Sequence, residues 1–130
     1  MSVLRTKEGI ALLFVGIAFS QSVQDAKQCK GTTYDVRTCL SKVYEKADAE
    51  LNTAYSTALK EVSVYSDPNR HIDNLRLAER LWIAYRDAQC KAQYELFEGG
   101  TGGPIERLGC LIEMTNKRSI ELKRVYFTPH

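Results

Sequence analysis

A chain of 130 residues that is 44% hydrophobic supports one folded domain, with neither the composition of a membrane protein nor that of a disordered one. The formal charge is +2, and Arg5, Lys7 and Glu8 near the start account for one of those charges, so the rest of the chain sits near +1. A charge this small excludes a nucleic-acid-binding field and gives no reason to expect an anionic partner.

Arg5 and Lys7 precede an apolar run of ten residues from Ile10 to Phe19, and small and polar residues follow from Ser20 to Ala26. This is the order of a secretory signal, and the run is short beside the roughly 20 residues of a membrane span. Residues 1–22 are therefore expected to be a leader, with cleavage after Ser22 favoured over Ser20 because small residues stand at both recognition positions. Residues 23–130 are expected to form the mature domain. Ala26, Lys27 and Gln28 before Cys29 lack the small apolar context of a lipoprotein signal, so no stable membrane anchor is expected and the destination is the periplasm or the exterior.

Export directs the cysteine chemistry. Cys29, Cys39, Cys90 and Cys110 in a short exported chain imply two disulfides, with three possible pairings. They contain no C-x-x-C pair and lie far from His71, so a metal site is not expected. No cofactor is implied either.

Thr32 and Thr33 precede a long helical pattern, with Asp35 placed to favour the amides of its first turn. Val36, Leu40, Val43, Ala47, Leu51, Ala54 and Ala58 recur at steps of three and four, the stripe of an amphipathic helix reaching about Tyr65. Asp67 and Pro68 suit the cap and first position of a second helix running to about Glu98. Its stripe reads Ile72, Leu75, Ala78, Trp82, Tyr85, Gln89, Ala92 and Leu96. The segment Gly99, Gly100, Thr101, Gly102, Gly103 is a connection suited to left-handed backbone. Pro104 opens a third helix, with Ile105, Leu108, Ile112, Thr115, Leu122 and Tyr126 on its buried side and Thr128-Pro129 at its end.

Short connections between long helices predict an all-α fold, an antiparallel three-helix bundle with two disulfides at one end. At about 1.5 Å per residue, Cys39, Cys90 and Cys110 fall at nearly one height and Cys29 precedes helix one at the same end. Cys29 with Cys39 and Cys90 with Cys110 is the favoured pairing, although the clustering leaves every pairing sterically open. The same reasoning brings Asp48, Asn52, Trp82, Arg86, Thr115 and Arg118 to a second level, as a polar network that fixes helix register; the rival reading is a solvent-facing groove for a ligand. Buried charges there would have to pair.

Catalysis is not expected. His71 and His130 stand at a helix start and at the terminus, no cysteine is free if all four pair, and no carboxylates are spaced for glycoside hydrolysis. The glycine-rich segment lacks the strand and the Lys-Ser or Lys-Thr pair of a phosphate loop. Loops on rigid scaffolds often carry binding function. Glu98, Gly99, Gly100, Thr101, Gly102, Gly103 and Glu106 are therefore the candidate partner-binding loop.

Ala47-Asp48, Leu51-Asn52 and Tyr55, then Ala78, Trp82, Arg86-Asp87 and Cys90, a Gly-Gly-rich turn, and Cys110, Thr115, Arg118 and Leu122 together resemble the lysozyme-inhibitor LprI-like domain family. Trp82-x-x-x-Arg86-Asp87-x-x-Cys90 is the most specific piece. Leu81 stands where alanine is usual before the tryptophan, and Glu79-Arg80 where Ala-Gln is common. The resemblance implies a small exported bacterial helical domain with paired cysteines, and a protein partner that for one kind of member is lysozyme. Animal-type lysozymes are strongly basic, so an inhibitor is expected to offer local acidity, here Glu95, Glu98 and Glu106 around the glycine loop. The alternatives are an envelope structural or stress-response protein and an immunity protein that neutralises a toxin.

Overall fold

The computed structural model describes residues 24–127, which are all-helical. A helical segment over 24–27 precedes α1 (Thr33–Val62), α2 (Pro68–Glu95) and α3 (Gly103–Tyr126). The expected leader, its cleavage position and the expected helix stop at Thr128-Pro129 lie outside the described residues.

A reciprocal cap starts α1. The Asp35 amide donates to Thr32 Oγ1 at 3.2 Å, and Asp35 Oδ2 accepts from the Thr32 amide at 2.9 Å and its hydroxyl at 2.7 Å. The side-chain hydrogen bond from Thr32, and then the backbone one, hold the Asp35 carboxyl below its ordinary value. A carboxylate lowered on folding contributes stability that is present above its unfolded pKa and is lost as pH falls through the folded one. Wild-type protein is thus expected to lose part of its thermal stability below about pH 4. Asp35→Asn should flatten that part of a melting-temperature profile, and an unchanged acid limb would remove the cap from the account.

Asp67 Oδ1 accepts from the Arg70 amide at 3.3 Å and Pro68 occupies the first turn, which sets the start of α2. Both connections begin earlier than the apolar pattern suggests. The first helix ends at Val62 rather than near Tyr65, and Ser63 Oγ donates to the Lys60 carbonyl at 2.6 Å. The second ends at Glu95 rather than Glu98, because the amides of Leu96, Phe97 and Glu98 turn to carbonyls three residues back at 3.1–3.2 Å.

The most extensive helix contact is between α1 and α3, followed by α2 with α3, and α1 touches α2 least. Along α2 and α3 the pairs Glu79–Arg118, Arg86–Thr115 and Cys90–Cys110 run in opposite order. One core cluster joins Leu51, Ala54, Ala58 and Val62 to Leu75 and Leu122, with Trp82 and Tyr126 against it. A second joins Cys90, Cys110 and Leu111, with Tyr44 and Met114 against it.

The buried stripe of α2 departs from the sequence reading. Leu75, Glu79, Arg86 and Cys90 are buried, with Ile72 and Trp82 partly so, whereas Ala78, Tyr85, Ala92 and Leu96 face solvent. The apolar letters picked the wrong edge because two charged side chains, Glu79 and Arg86, take core positions and find partners there. No described helix is long and apolar enough to cross a membrane.

Candidate functional site

Two guanidinium groups organise the interior between the helices. On the α2 side, Arg86 Nε donates to Asp87 Oδ1 at 3.0 Å, its Nη1 donates to Thr115 Oγ1 on α3 at 3.4 Å, and Asp48 on α1 stands 3.8 Å away. On the α3 side, Arg118 donates from Nε and Nη2 to Glu79 Oε2 at 3.0 and 2.8 Å, and from Nη1 to Glu121 at 2.8 Å. Trp82 lies between them, its ring centre 5.2 Å from the Arg86 guanidinium and 5.9 Å from that of Arg118, and Tyr44 adds a ring 5.8 Å from Arg86.

Four carboxylates therefore answer two guanidiniums, and each cation is held from more than one side. Burial alone would lower the Arg118 pKa, but its hydrogen bonds to Glu121 and Glu79 prevail and push it up. Burial pushes the Tyr44 phenol up, with Arg86 opposing and Asp48 and Asp87 adding. Both shifts hold these two groups in their ordinary neutral-pH states. Among the described residues no set of His, Cys, Asp and Glu could hold a metal ion.

Of the residues singled out from the sequence, the structure brings together Asp48, Trp82, Arg86, Thr115 and Arg118. Asn52 sits exposed on α1 and outside the cluster. Sequence reasoning missed Tyr44, Glu79, Asp87 and Glu121. Glu79 was findable: it stands seven residues before Arg86, and Glu79, Trp82 and Arg86 recur at steps of three and four, which puts all three on one helix face.

Cys29 is bonded to Cys39 and Cys90 to Cys110, and no described cysteine is free. The first bond ties the 24–27 segment to α1; Ala26 and Lys27 border a hollow also lined by Gln93, Glu106 and Cys110, so both bonds serve the same end of the domain. Met114 Sδ lies 3.8 and 3.9 Å from the two sulfurs of the second bond, as a packing contact, since bonded sulfurs carry no proton.

The glycine-rich connection projects from that end. Phe97 O accepts from the Gly100 amide at 2.8 Å, and the two residues between have positive φ, 47° at Glu98 and 82° at Gly99. That combination is the signature of a type I′ turn, in which glutamate is an uncommon and strained occupant. A Cβ at Gly102 would come within 3.0 Å of the Phe97 ring, and one at Gly103 within 3.1 Å of the Tyr94 ring. These two glycines thus let the aromatic rings fold down and brace the loop. Leu96 remains 80% exposed on it. Glu95, Glu98 and Glu106 are all exposed there, but Arg37, Lys91 and Arg107 line an adjoining open hollow of about 660 Å3 with Asp87, Glu95 and Tyr94. This end therefore carries both signs of charge, the three glutamates being accompanied by Arg37, Lys91 and Arg107.

The family profile described as lysozyme inhibitor LprI matches residues 24–122, a span containing both disulfides, the whole guanidinium cluster and the loop. The chain belongs to the LprI family. A protein of Rhizobium meliloti (strain 1021), described as uncharacterized protein R02472, is 32% identical over 126 residues, covering 89% of this chain and 91% of that one. Uncharacterized protein YecT of Escherichia coli (strain K12) is 26% identical over 98 residues, covering 68% of this chain and 60% of its own. No solved structure matches this LprI-family chain.

Proposed function

We propose that this is an exported, non-catalytic protein-binding module, an antiparallel three-helix bundle whose braced loop contacts and inhibits a lysozyme. The observation that carries the reading is the loop. Glu98 is kept at positive φ beside an almost fully exposed Leu96, on a turn stiffened by Phe97 and Tyr94. Strain retained at an exposed position is a pointer to binding. A stiff loop also loses little conformational freedom when it enters a cleft. The family description supplies the partner class, and the disulfides agree with an oxidising destination. The guanidinium cluster satisfies its own charges and serves as the support rather than the contact.

The mixed charge of this end means that affinity would come from local fit, with Glu98 and Glu106 meeting cations at the rim of the enzyme's cleft. The test is a cell-wall lysis assay titrated with the oxidised protein. Saturable inhibition is expected, and Glu98→Lys with Glu106→Lys should raise the inhibitory concentration at least about tenfold, the equivalent of roughly 1.4 kcal/mol. Inhibition untouched by both changes would dismiss the loop, and its absence with well-folded protein would dismiss the lysozyme reading.

A further inference from the structure

Helix α2 presents a second apolar stripe, directly opposite the one packed on α1 and α3. Leu77 (48% exposed), Leu81 (62%), Ala84 and Ala88 follow at steps of four, three and four, all facing solvent. Asn74 and Arg70 continue this seam toward the start of the helix, and Lys91 and Glu95 toward its end, all exposed. The steps are those of a heptad seam, the pattern of a helix that packs lengthwise against another helix. None of these side chains is used by the domain's own core.

We propose that this face is the contact between two copies of the chain, with α2 packed antiparallel against the partner's α2 about a two-fold axis between Leu81 and Ala84. The sequence is self-complementary in that register. Each leucine meets an alanine of the partner, Leu81 against Ala84 and Leu77 against Ala88, so large and small residues interdigitate through four layers. Asn74 meets Lys91, and Arg70 meets Glu95, at the flanks of the seam. Beside it, Arg80 on one helix approaches Asp87 on the other, and two-fold symmetry makes each of these contacts occur twice. Arg80 has no ion-pair partner within its own chain among the described residues, and the Asp87 side chain is 52% exposed although it also holds Arg86. Tyr85, 60% exposed on the other flank, comes over Ala78 of the partner helix. The seam runs from Arg70 to Glu95, about 37 Å of helix.

Alternative arrangements fit worse. A parallel pair sets Arg70 on Arg70, Glu95 on Glu95, and alanine on alanine with a void between. Sliding the antiparallel pair one heptad toward the helix start pairs Leu77 with Leu81 but stacks Arg80 on Arg80. Sliding it the other way sets Leu81 on Lys91 and Leu77 on Glu95. The antiparallel register with leucine on alanine is the one that satisfies size and charge together. It places the glycine loop just beyond the Arg70–Glu95 contact at each far end of the pair; the inference is argued from the seam alone and does not rest on the lysozyme reading.

The deciding experiment exploits the symmetry and uses sedimentation equilibrium on the oxidised protein. Wild type is expected to sediment at twice the chain mass. Arg80→Asp alone sets carboxylate against carboxylate at both symmetry-related contacts, and Asp87→Arg alone sets guanidinium against guanidinium there. Each is expected to raise the dissociation constant at least about tenfold. An equimolar mixture of the two variants brings opposite charges together at both contacts and should form a one-to-one heterodimer as tight as the wild-type dimer. Leu81→Lys leaves every ion pair of the domain intact and should abolish dimerisation, with circular dichroism showing an unchanged fold; this variant keeps the test decisive if Asp87→Arg disturbs Arg86. Wild-type protein that stays monomeric at its highest soluble concentration, a mixture no tighter than its parts, or a Leu81→Lys dimer would each overturn the proposal.

Discussion

Replacing Glu79 with alanine is expected to destabilise the protein by about 3 kcal/mol, which for a domain of this size lowers the melting temperature by roughly 15 °C. The Glu79 side chain is 7% exposed and that of Arg118 is 11% exposed, and both contacts between them are charge-assisted at 2.8–3.0 Å. Removing the carboxylate strands a guanidinium in a setting that has already taken it out of water, and its cost exceeds the net worth of the pair itself. Glu121 still holds the other side of Arg118, which keeps the loss at the lower end of the range for broken buried pairs. Exchanging both partners for apolar residues of similar size, Glu79→Leu with Arg118→Met, should recover most of the stability, because no buried charge is then left alone. Thermal melts of the two single variants and the double variant close this cycle. A Glu79→Ala protein that melts within a few degrees of wild type would mean that solvent reaches Arg118 and that the pair contributes as a surface contact does, about 0.5 kcal/mol.

The same two residues explain what could be read from the sequence and what could not. Helices α1 and α3 were legible because apolar residues mark their buried stripes: Leu40, Ala47, Leu51, Ala54 and Ala58 on α1, and Ile112 and Leu122 on α3, where Thr115, Asn116 and Ser119 are buried among them. Periodicity of hydrophobic letters reports a helix face when burial is the only demand on it. On α2 there are two demands. One face must carry Glu79 and Arg86 to partners on α3 and α1, while Leu77, Leu81, Ala84 and Ala88 lie on the face turned away. An apolar pattern cannot rank these faces, since the core side contains the charges and the outer side contains the leucines. Polar residues at matching heights on neighbouring helices were the available signal, and they located Asp48, Arg86, Thr115 and Arg118 but not Glu79, which stood out in the sequence only as a departure from the family pattern. The loop was visible as a run of glycines. Its bracing was not, because it depends on Phe97 and Tyr94 folding over Gly102 and Gly103, contacts set by the direction in which the chain leaves α2.

Loss of either disulfide should lower stability, but only loss of the Cys90–Cys110 bond should also be felt in the glycine loop, since Cys29–Cys39 ties the N-terminal segment to α1. The first bond closes 20 residues and the second 10, and the chain-entropy estimate assigns them about 3.3 and 2.7 kcal/mol respectively. The difference in magnitude is small; the difference in place is decisive. Residues 90 and 110 stand on the two helices that flank the glycine connection, so their bond clamps the base from which Leu96, Phe97 and Glu98 project. Cys90 is fully buried and packs with Leu111, Tyr44 and Met114, so alanine rather than serine is the appropriate replacement, avoiding a new buried hydroxyl. Cys90→Ala with Cys110→Ala is therefore expected to lower stability by about 3 kcal/mol and also to weaken lysozyme inhibition at temperatures where the protein remains folded. Cys29→Ala with Cys39→Ala should show a comparable stability loss with inhibition largely retained. Denaturant titration gives the first quantity and a lysis assay at matched folded fraction gives the second. Equal inhibition by the two variants would separate the loop's stiffness from the disulfide at its base and leave Phe97 and Tyr94 as its only support.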